Sequence, residues 1–301
     1  ASALCLAATL WLLRATVRDW FRRNEPGAEP AAAEGDAALL VLLGTLGLFV
    51  HAHETLAENA ALTGAALAWY GIARFHYRPL PAGLWLGLGL GIALWSKGPA
   101  SMLAPLAAAL VLPAFDRYAR RRAYLRFLLV ALVALVPAAL GWSVVLHSQG
   151  SGVAELWWQR HGVPADWSLQ RGLRQLQLLS WAVWPAWPLA AWALYDRRHR
   201  LRDDPILPVF AGAFMGLLVF AFSREMNEVF ALPLMLPLAI AAGVGMPVLR
   251  RGAAHALAWF GAMTFTTLGG LVWLGWVAMT TGAPERMARN FARLEPGFVA
   301  R

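Results

Sequence analysis

The sequence predicts an all-α protein, a polytopic bundle of about ten membrane segments. Three observations predict it. Of the 301 residues 59% are hydrophobic and 14% charged, with a mean hydropathy of +0.53, more apolar surface than a soluble core of this size can use. The apolar residues gather into runs of about 14 to 25, the lengths from which membrane-crossing helices are built. Finally, the basic residues cluster between alternate runs, so charge alternates from one connection to the next.

In order, the runs are 1–13, 37–50, 60–72, 82–95, 100–115, 124–146, 176–195, 205–222, 229–249 and 254–279. Runs shorter than about 17 residues need flanking residues or burial inside the bundle to span. Residues 24–36, with Pro26, Gly27, Pro30 and an Ala/Glu stretch, read as a mobile linker. Seventeen of the 26 basic residues fall in the connections 14–23, 74–78, 117–126, 197–202 and 250–251. The positive-inside rule makes these cytoplasmic and the opposite face outer. Residues 1–280 then form one transmembrane domain, and 281–301 begin an outer juxtamembrane or periplasmic segment.

Several function classes drop out. A net charge of +9 and a pI near 10.9 invite a nucleic-acid reading, but arginines in short interhelical clusters face anionic lipid instead. Cys5 is the single cysteine, so the chain forms no internal disulfide and redox chemistry is not indicated. No internal repeat and no matched pair of interrupted helices of the kind a secondary transporter carries is visible, which weighs against that class without removing it, since such repeats are often hidden in one sequence. Of the sixteen tryptophans, Trp157, Trp158, Trp167, Trp181, Trp184 and Trp187 crowd around the long outer loop. They read as an interfacial belt or as a stacking surface for sugar rings and lipid chains, and residues 155–161 as a short amphipathic interfacial helix.

Lys97 is the one lysine in the chain. It lies in Trp95-Ser96-Lys97-Gly98-Pro99, between two apolar runs. An ionisable group there is either a helix-end cation snorkelling to the headgroups or a functional group. Two more short outer loops frame the choice. The first is His51-Ala52-His53-Glu54-Thr55-Leu56-Ala57-Glu58-Asn59. If helical, it places His51, Glu54 and Glu58 on one face at i, i+3 and i+7. Two carboxylates on one face need a cation between them, or else the loop is a solvated turn. Oxygen ligands suit a divalent Mg, Mn or Ca, and Zn if His51 or His53 joins Glu58. The other loop holds Arg224, Glu225 and Glu228, followed by Phe230, Pro233 and Pro237. There Arg224 and Glu228 pair at i, i+4, or the arginine meets an anionic group while the proline kinks make room for a lipid tail.

A carboxylate cluster, a lone lysine and an arginine on one face suit transfer of a sugar from a phosphate-linked carrier. Lys97 and Arg224 would stabilise the departing phosphate, with a metal sharing that role. Glu58, with Glu54, would serve the acceptor hydroxyl. Two rival readings use the same residues: a lipid or solute transporter or flippase, and a glycan polymerase or ligase relying on Arg160, His161, Arg171 and Arg174.

These elements carry a resemblance to a known family. Thr55-Leu56-Ala57-Glu58-Asn59-Ala60-Ala61-Leu62, the run Gly87 to Pro99 ending in Lys97-Gly98-Pro99, and Phe230-Ala231-Leu232-Pro233 with Pro237 resemble the polyprenyl-phosphate-sugar glycosyltransferases of the GT-C fold, which include the lipid A aminoarabinose transferases and relatives of the protein O-mannosyltransferases. The resemblance covers most of residues 1–250. It implies an undecaprenyl-phosphate-type sugar donor and a lipid A, envelope-glycan or protein acceptor. It also implies a bacterial inner membrane location with the active site facing the periplasm, an acidic site position at Glu58 and a carrier-phosphate contact at Lys97. Two departures stand out. Phe230 occupies a position where the family usually has Tyr, and the family's first outer loop, with its acidic pair, should precede residue 1. The expectation is therefore an N-terminally truncated piece, inactive alone, whose general base lies upstream of Ala1.

Overall fold

The structure, a computed structural model, describes residues 2–21, 32–51, 57–161, 168–199, 206–222 and 232–294. Among them are fourteen α-helices and no strand. They are α1 (Ser2–Phe21), α2 (Ala32–Leu43), α3 (Leu46–His51), α4 (Ala57–Arg74), α5 (Pro79–Lys97), α6 (Leu103–Phe115), α7 (Arg122–Ser148), α8 (Ser151–His161), α9 (Leu169–Ala182), α10 (Ala186–Asp196), α11 (Leu207–Ala221), α12 (Leu232–Gly245), α13 (Arg251–Thr281) and α14 (Glu285–Leu294). Their contacts divide the chain into two compact units, Ala1–Val248 and Leu249–Arg301.

In the first unit α12 is the centre. All fourteen of its residues are buried, as befits a helix that is apolar on every side. Close approach there depends on glycine. A methyl on Gly243 would lie 2.7 Å from Ala38 Cβ and Glu34 O of α2, and one on Gly245 would lie 2.8 Å from Leu189 O of α10. Pro233 and Pro237, expected to open room for a lipid tail, are instead buried within this helix.

Helix α7 shows the opposite pattern. Leu125, Leu129, Leu132, Val133, Leu140 and Val144 are all exposed, an apolar surface that makes sense only against lipid. Helices α5, α7 and α13 are each long and apolar enough to cross a bilayer. The first two lie in the first unit and α13 in the second. There α13 exposes Trp259, Met263, Val272 and Trp276 among others, until Gly282 ends it at φ +74° and the arginine-bearing α14 follows.

In the first unit several of the clustered basic residues meet carboxylates. Arg74 Nε lies 3.7 Å from Asp19 Oδ2, and Arg14 Nε donates to Asp36 Oδ1 at 2.5 Å. His76 Nε2 sits 2.6 Å from Asp116 Oδ2, with its ring stacked 4.7 Å from Tyr118. Some of these arginines cap helices. Arg120 donates to Pro113 O and Ala114 O at the end of α6, and Arg198 donates to Tyr195 O at the end of α10, where a cation meets the negative helix terminus.

The structure departs from the sequence reading in two places. The linker predicted over 24–36 ends early, since residues 32–36 are the first turns of α2. Two runs read as continuous are also interrupted, 37–50 at Gly44-Thr45 and 176–195 at Val183-Trp184-Pro185. The two breaks meet: Leu46 N–H donates to Trp184 O at 3.1 Å, and a methyl on Gly47 would lie 3.0 Å from Ala182 O. Each break thus satisfies a backbone group that the other frees, as non-helical backbone at membrane depth requires. The Thr45 hydroxyl is spent on Val41 O, and no ionisable side chain stands at either break, so the crossing is a joint in the scaffold.

Candidate functional site

The site grows out of the way α4 meets α5. A methyl on Gly71 would lie 2.6 Å from Leu86 N and 2.7 Å from Ala82 O, and one on Gly64 would lie 2.7 Å from Ala93 N and Gly89 O. From the other side, a methyl on Gly89 would lie 2.5 Å from Ala68 N and Gly64 O. The two helices therefore run backbone against backbone and antiparallel, the small-residue packing of membrane helices. Seven residues back along α4 correspond to seven forward along α5. Six more residues back along α4 from Gly64, and four forward along α5 from Ala93, bring Glu58 to Lys97.

There Lys97 Nζ lies 2.6 Å from Glu58 Oε1. Glu58 is 8% exposed, and the lysine side chain 21%. Glu58 stands in the first turn of α4 and Lys97 is the last residue of α5, so each helix dipole favours the charge placed at its end. The pair thus lies at helix ends, which answers the snorkelling reading of Lys97: its ammonium turns to a carboxylate inside the bundle.

The turn that holds Lys97 is built in detail. Gly98 takes φ +85°, a conformation L side chains rarely adopt, and its N–H closes the last turn onto Leu94 O at 2.9 Å. Pro99 then opens a 3₁₀ turn, Pro99–Met102. Ser101, buried, donates its hydroxyl to Ala93 O and Gly98 O, each at 2.8 Å, pinning the turn back onto α5. A second brace lies under Glu58. Asn59 is buried, and Thr63 donates to Asn59 O at 2.9 Å and meets Thr9 of α1 hydroxyl to hydroxyl at 3.0 Å. Ser101 and Thr63 were not singled out from the sequence. The signal for Ser101 was its place just past Lys97-Gly98-Pro99.

The other flank of α5 is different. Gly83, Gly87 and Gly91, at four-residue spacing, press against Phe127, Ala131 and Ala138 of α7. Trp95 continues that ridge and donates its indole N–H to Ala138 O at 2.7 Å. Its ring packs 5.7 Å from Trp142, which packs 5.9 Å from Trp157 of α8. This tryptophan cluster is therefore on the opposite side of α5 from the ion pair.

Of the expected site residues, Glu58 and Lys97 come together. The His51 side chain, His53, Glu54, Arg224, Glu228 and Phe230 lie outside the described residues, as do the Arg160 and His161 side chains; Arg171 and Arg174 stand on α9, the latter exposed. Among the described residues no three His, Cys, Asp or Glu side chains gather in a way that would hold a metal. Glu58 would offer a divalent ion a carboxylate already engaged by an ammonium. The cation beside the Glu58 carboxylate in this structure is Lys97.

No protein-family model and no curated protein matches the chain. Two solved structures do, both of ArnT from Cupriavidus metallidurans. The one bound to undecaprenyl phosphate superposes with a TM-score of 0.69 at 17% identity, over 92% of this chain and 50% of that one. The apo structure gives 0.65 at 19% identity with the same coverage. The chain thus spans about half the length of the ArnT structures it matches. At such identities the likeness is one of fold, and the chain is an all-α membrane bundle of the GT-C type.

Proposed function

We propose that this chain is the membrane portion of a glycosyltransferase that takes its sugar from a polyprenyl-phosphate carrier, in a bacterial inner membrane with the site facing the periplasm. The observation that carries the reading is the Glu58/Lys97 pair at 2.6 Å, set at helix ends in a fold shared with a protein that binds undecaprenyl phosphate. A periplasmic lipid, glycan or protein hydroxyl is the acceptor. In the transfer, the acceptor oxygen bonds to the anomeric carbon and its proton goes to a carboxylate. The bond from that carbon to the carrier's phosphate oxygen breaks, leaving its electron pair on the phosphate. An ammonium at the phosphate then stabilises charge that develops only as the bond breaks, which is where binding energy raises rate. Lys97 is that ammonium, and Arg224 a second cation for the same phosphate. Glu58 orients Lys97 and meets the acceptor side.

The test is sugar transfer by the full-length protein in proteoliposomes carrying a polyprenyl-phosphate sugar. Lys97→Ala and Glu58→Ala each abolish transfer and leave membrane insertion intact. Near-normal transfer by both variants rejects the assignment.

A further inference from the structure

We propose that the Glu58/Lys97 pair reads the charge of the carrier phosphate, releasing Lys97 to a phosphate monoester but not to a phosphodiester. The inference rests on the proposed function and adds a specificity to it. The bilayer around such a protein is made of lipids that carry phosphodiesters, each with one negative charge. The sugar-loaded carrier is also a phosphodiester. The carrier left after transfer is a monoester, with about −1.5 to −2 charges near neutral pH.

Lys97 begins on a carboxylate of one charge at 2.6 Å, with both side chains largely shielded from water. Exchanging that carboxylate for a diester swaps one negative charge for another and gains no Coulomb energy, while Glu58 is left in a poorly solvated place without its cation. A monoester of nearly double the charge outbids the carboxylate. The lysine arm can make the move, since an ammonium on a four-carbon stem reorients without any displacement of the backbone. Helix α5 itself is fixed by backbone contact on both flanks, at Gly89 towards α4 and at Gly83 and Gly87 towards α7.

Two consequences follow. The ordinary lipids of the membrane, in vast excess over the carrier, do not occupy Lys97. During transfer, the second charge appears on the phosphate as the sugar leaves, so the ammonium is drawn from Glu58 at the moment it is needed. Its stabilisation is then greater late in the reaction than in the bound donor. The same departure strips Glu58 of its cation while the acceptor proton is being lost.

The test measures binding of undecaprenyl phosphate and of its methyl phosphodiester to the full-length protein in nanodiscs, by ligand-dependent thermal shift and by titration. The wild type prefers the monoester by about tenfold or more. Glu58→Gln tightens diester binding more than monoester binding and shrinks that preference several-fold. If Glu58→Gln fails to insert, Glu58→Asp, which withdraws the carboxylate by one methylene, moves the preference in the same direction. A double-mutant cycle between positions 58 and 97 without ligand, read as thermal stability, shows coupling between the two charges. An unchanged preference in Glu58→Gln, or the absence of that coupling, overturns the charge-reading proposal while leaving the site in place. Monoester binding that survives Lys97→Ala overturns the site itself.

Discussion

Gly89→Ala is the sharpest test of how the site is positioned. The added methyl would lie 2.5 Å from Ala68 N and Gly64 O, both backbone atoms that no side-chain rotation can move away. An ordinary contact of about 3.4 Å requires α4 and α5 to separate locally by roughly 0.9 Å, and overpacking of this kind costs about 1–3 kcal/mol. Alanine's better helix propensity returns about 0.5–1 kcal/mol, leaving a net loss of up to about 2.5 kcal/mol. Gly261→Ala and Gly269→Ala in α13 are the controls, because nothing lies within 4 Å of a methyl at either position; they are neutral or slightly stabilising. The assay is thermal unfolding in nanodiscs followed by intrinsic fluorescence, for which the sixteen tryptophans give ample signal. Gly89→Ala lowers the midpoint by several degrees and the controls do not. A Gly89→Ala midpoint equal to that of Gly261→Ala refutes the backbone-to-backbone register and, with it, the account of why Glu58 faces Lys97.

Two further outcomes concern the turn beside the lysine. Gly98→Ala forces a side chain into φ +85°, at a cost of about 1–3 kcal/mol, and loosens Lys97 enough to weaken carrier-phosphate binding in the titration above; unchanged stability and binding would show the turn to be unstrained. Ser101→Ala removes a buried hydroxyl bonded to two carbonyls, costs about 1–2 kcal/mol, and appears as faster amide exchange at residues 97–102 in hydrogen-exchange mass spectrometry. Protection equal to wild type there would remove Ser101 from the account.

Much of the bundle was legible because the bilayer makes apolar run length and arginine spacing carry the fold. The runs at 60–72, 82–95 and 124–146 became α4, α5 and α7 nearly as read. The interruptions at Gly44-Thr45 and Val183 to Pro185 were not, since each is masked by apolar neighbours, and it takes contact between two distant segments to satisfy the freed backbone. Gly44 and Pro185 were the local signals. The meeting of Glu58 with Lys97 was anticipated as a shared pocket, but not as a direct ion pair. That required the register of α4 on α5, which is written in Gly64, Gly71 and Gly89 and becomes readable only once the helices are known to be partners. The metal expectation rested on two carboxylates in one loop; of these Glu58 is paired with Lys97, from the far end of the same α4–α5 hairpin, while Glu54 lies outside the described residues.

The glycines on both flanks of α5 reach beyond packing. A rod wedged between neighbours at that spacing neither slides nor rolls, so the anchor of the lysine stays fixed while substrates come and go. Adaptation to a longer or bulkier ligand must then come from parts outside that wedge. Divergence among proteins built this way should gather around the rim and spare the shaft.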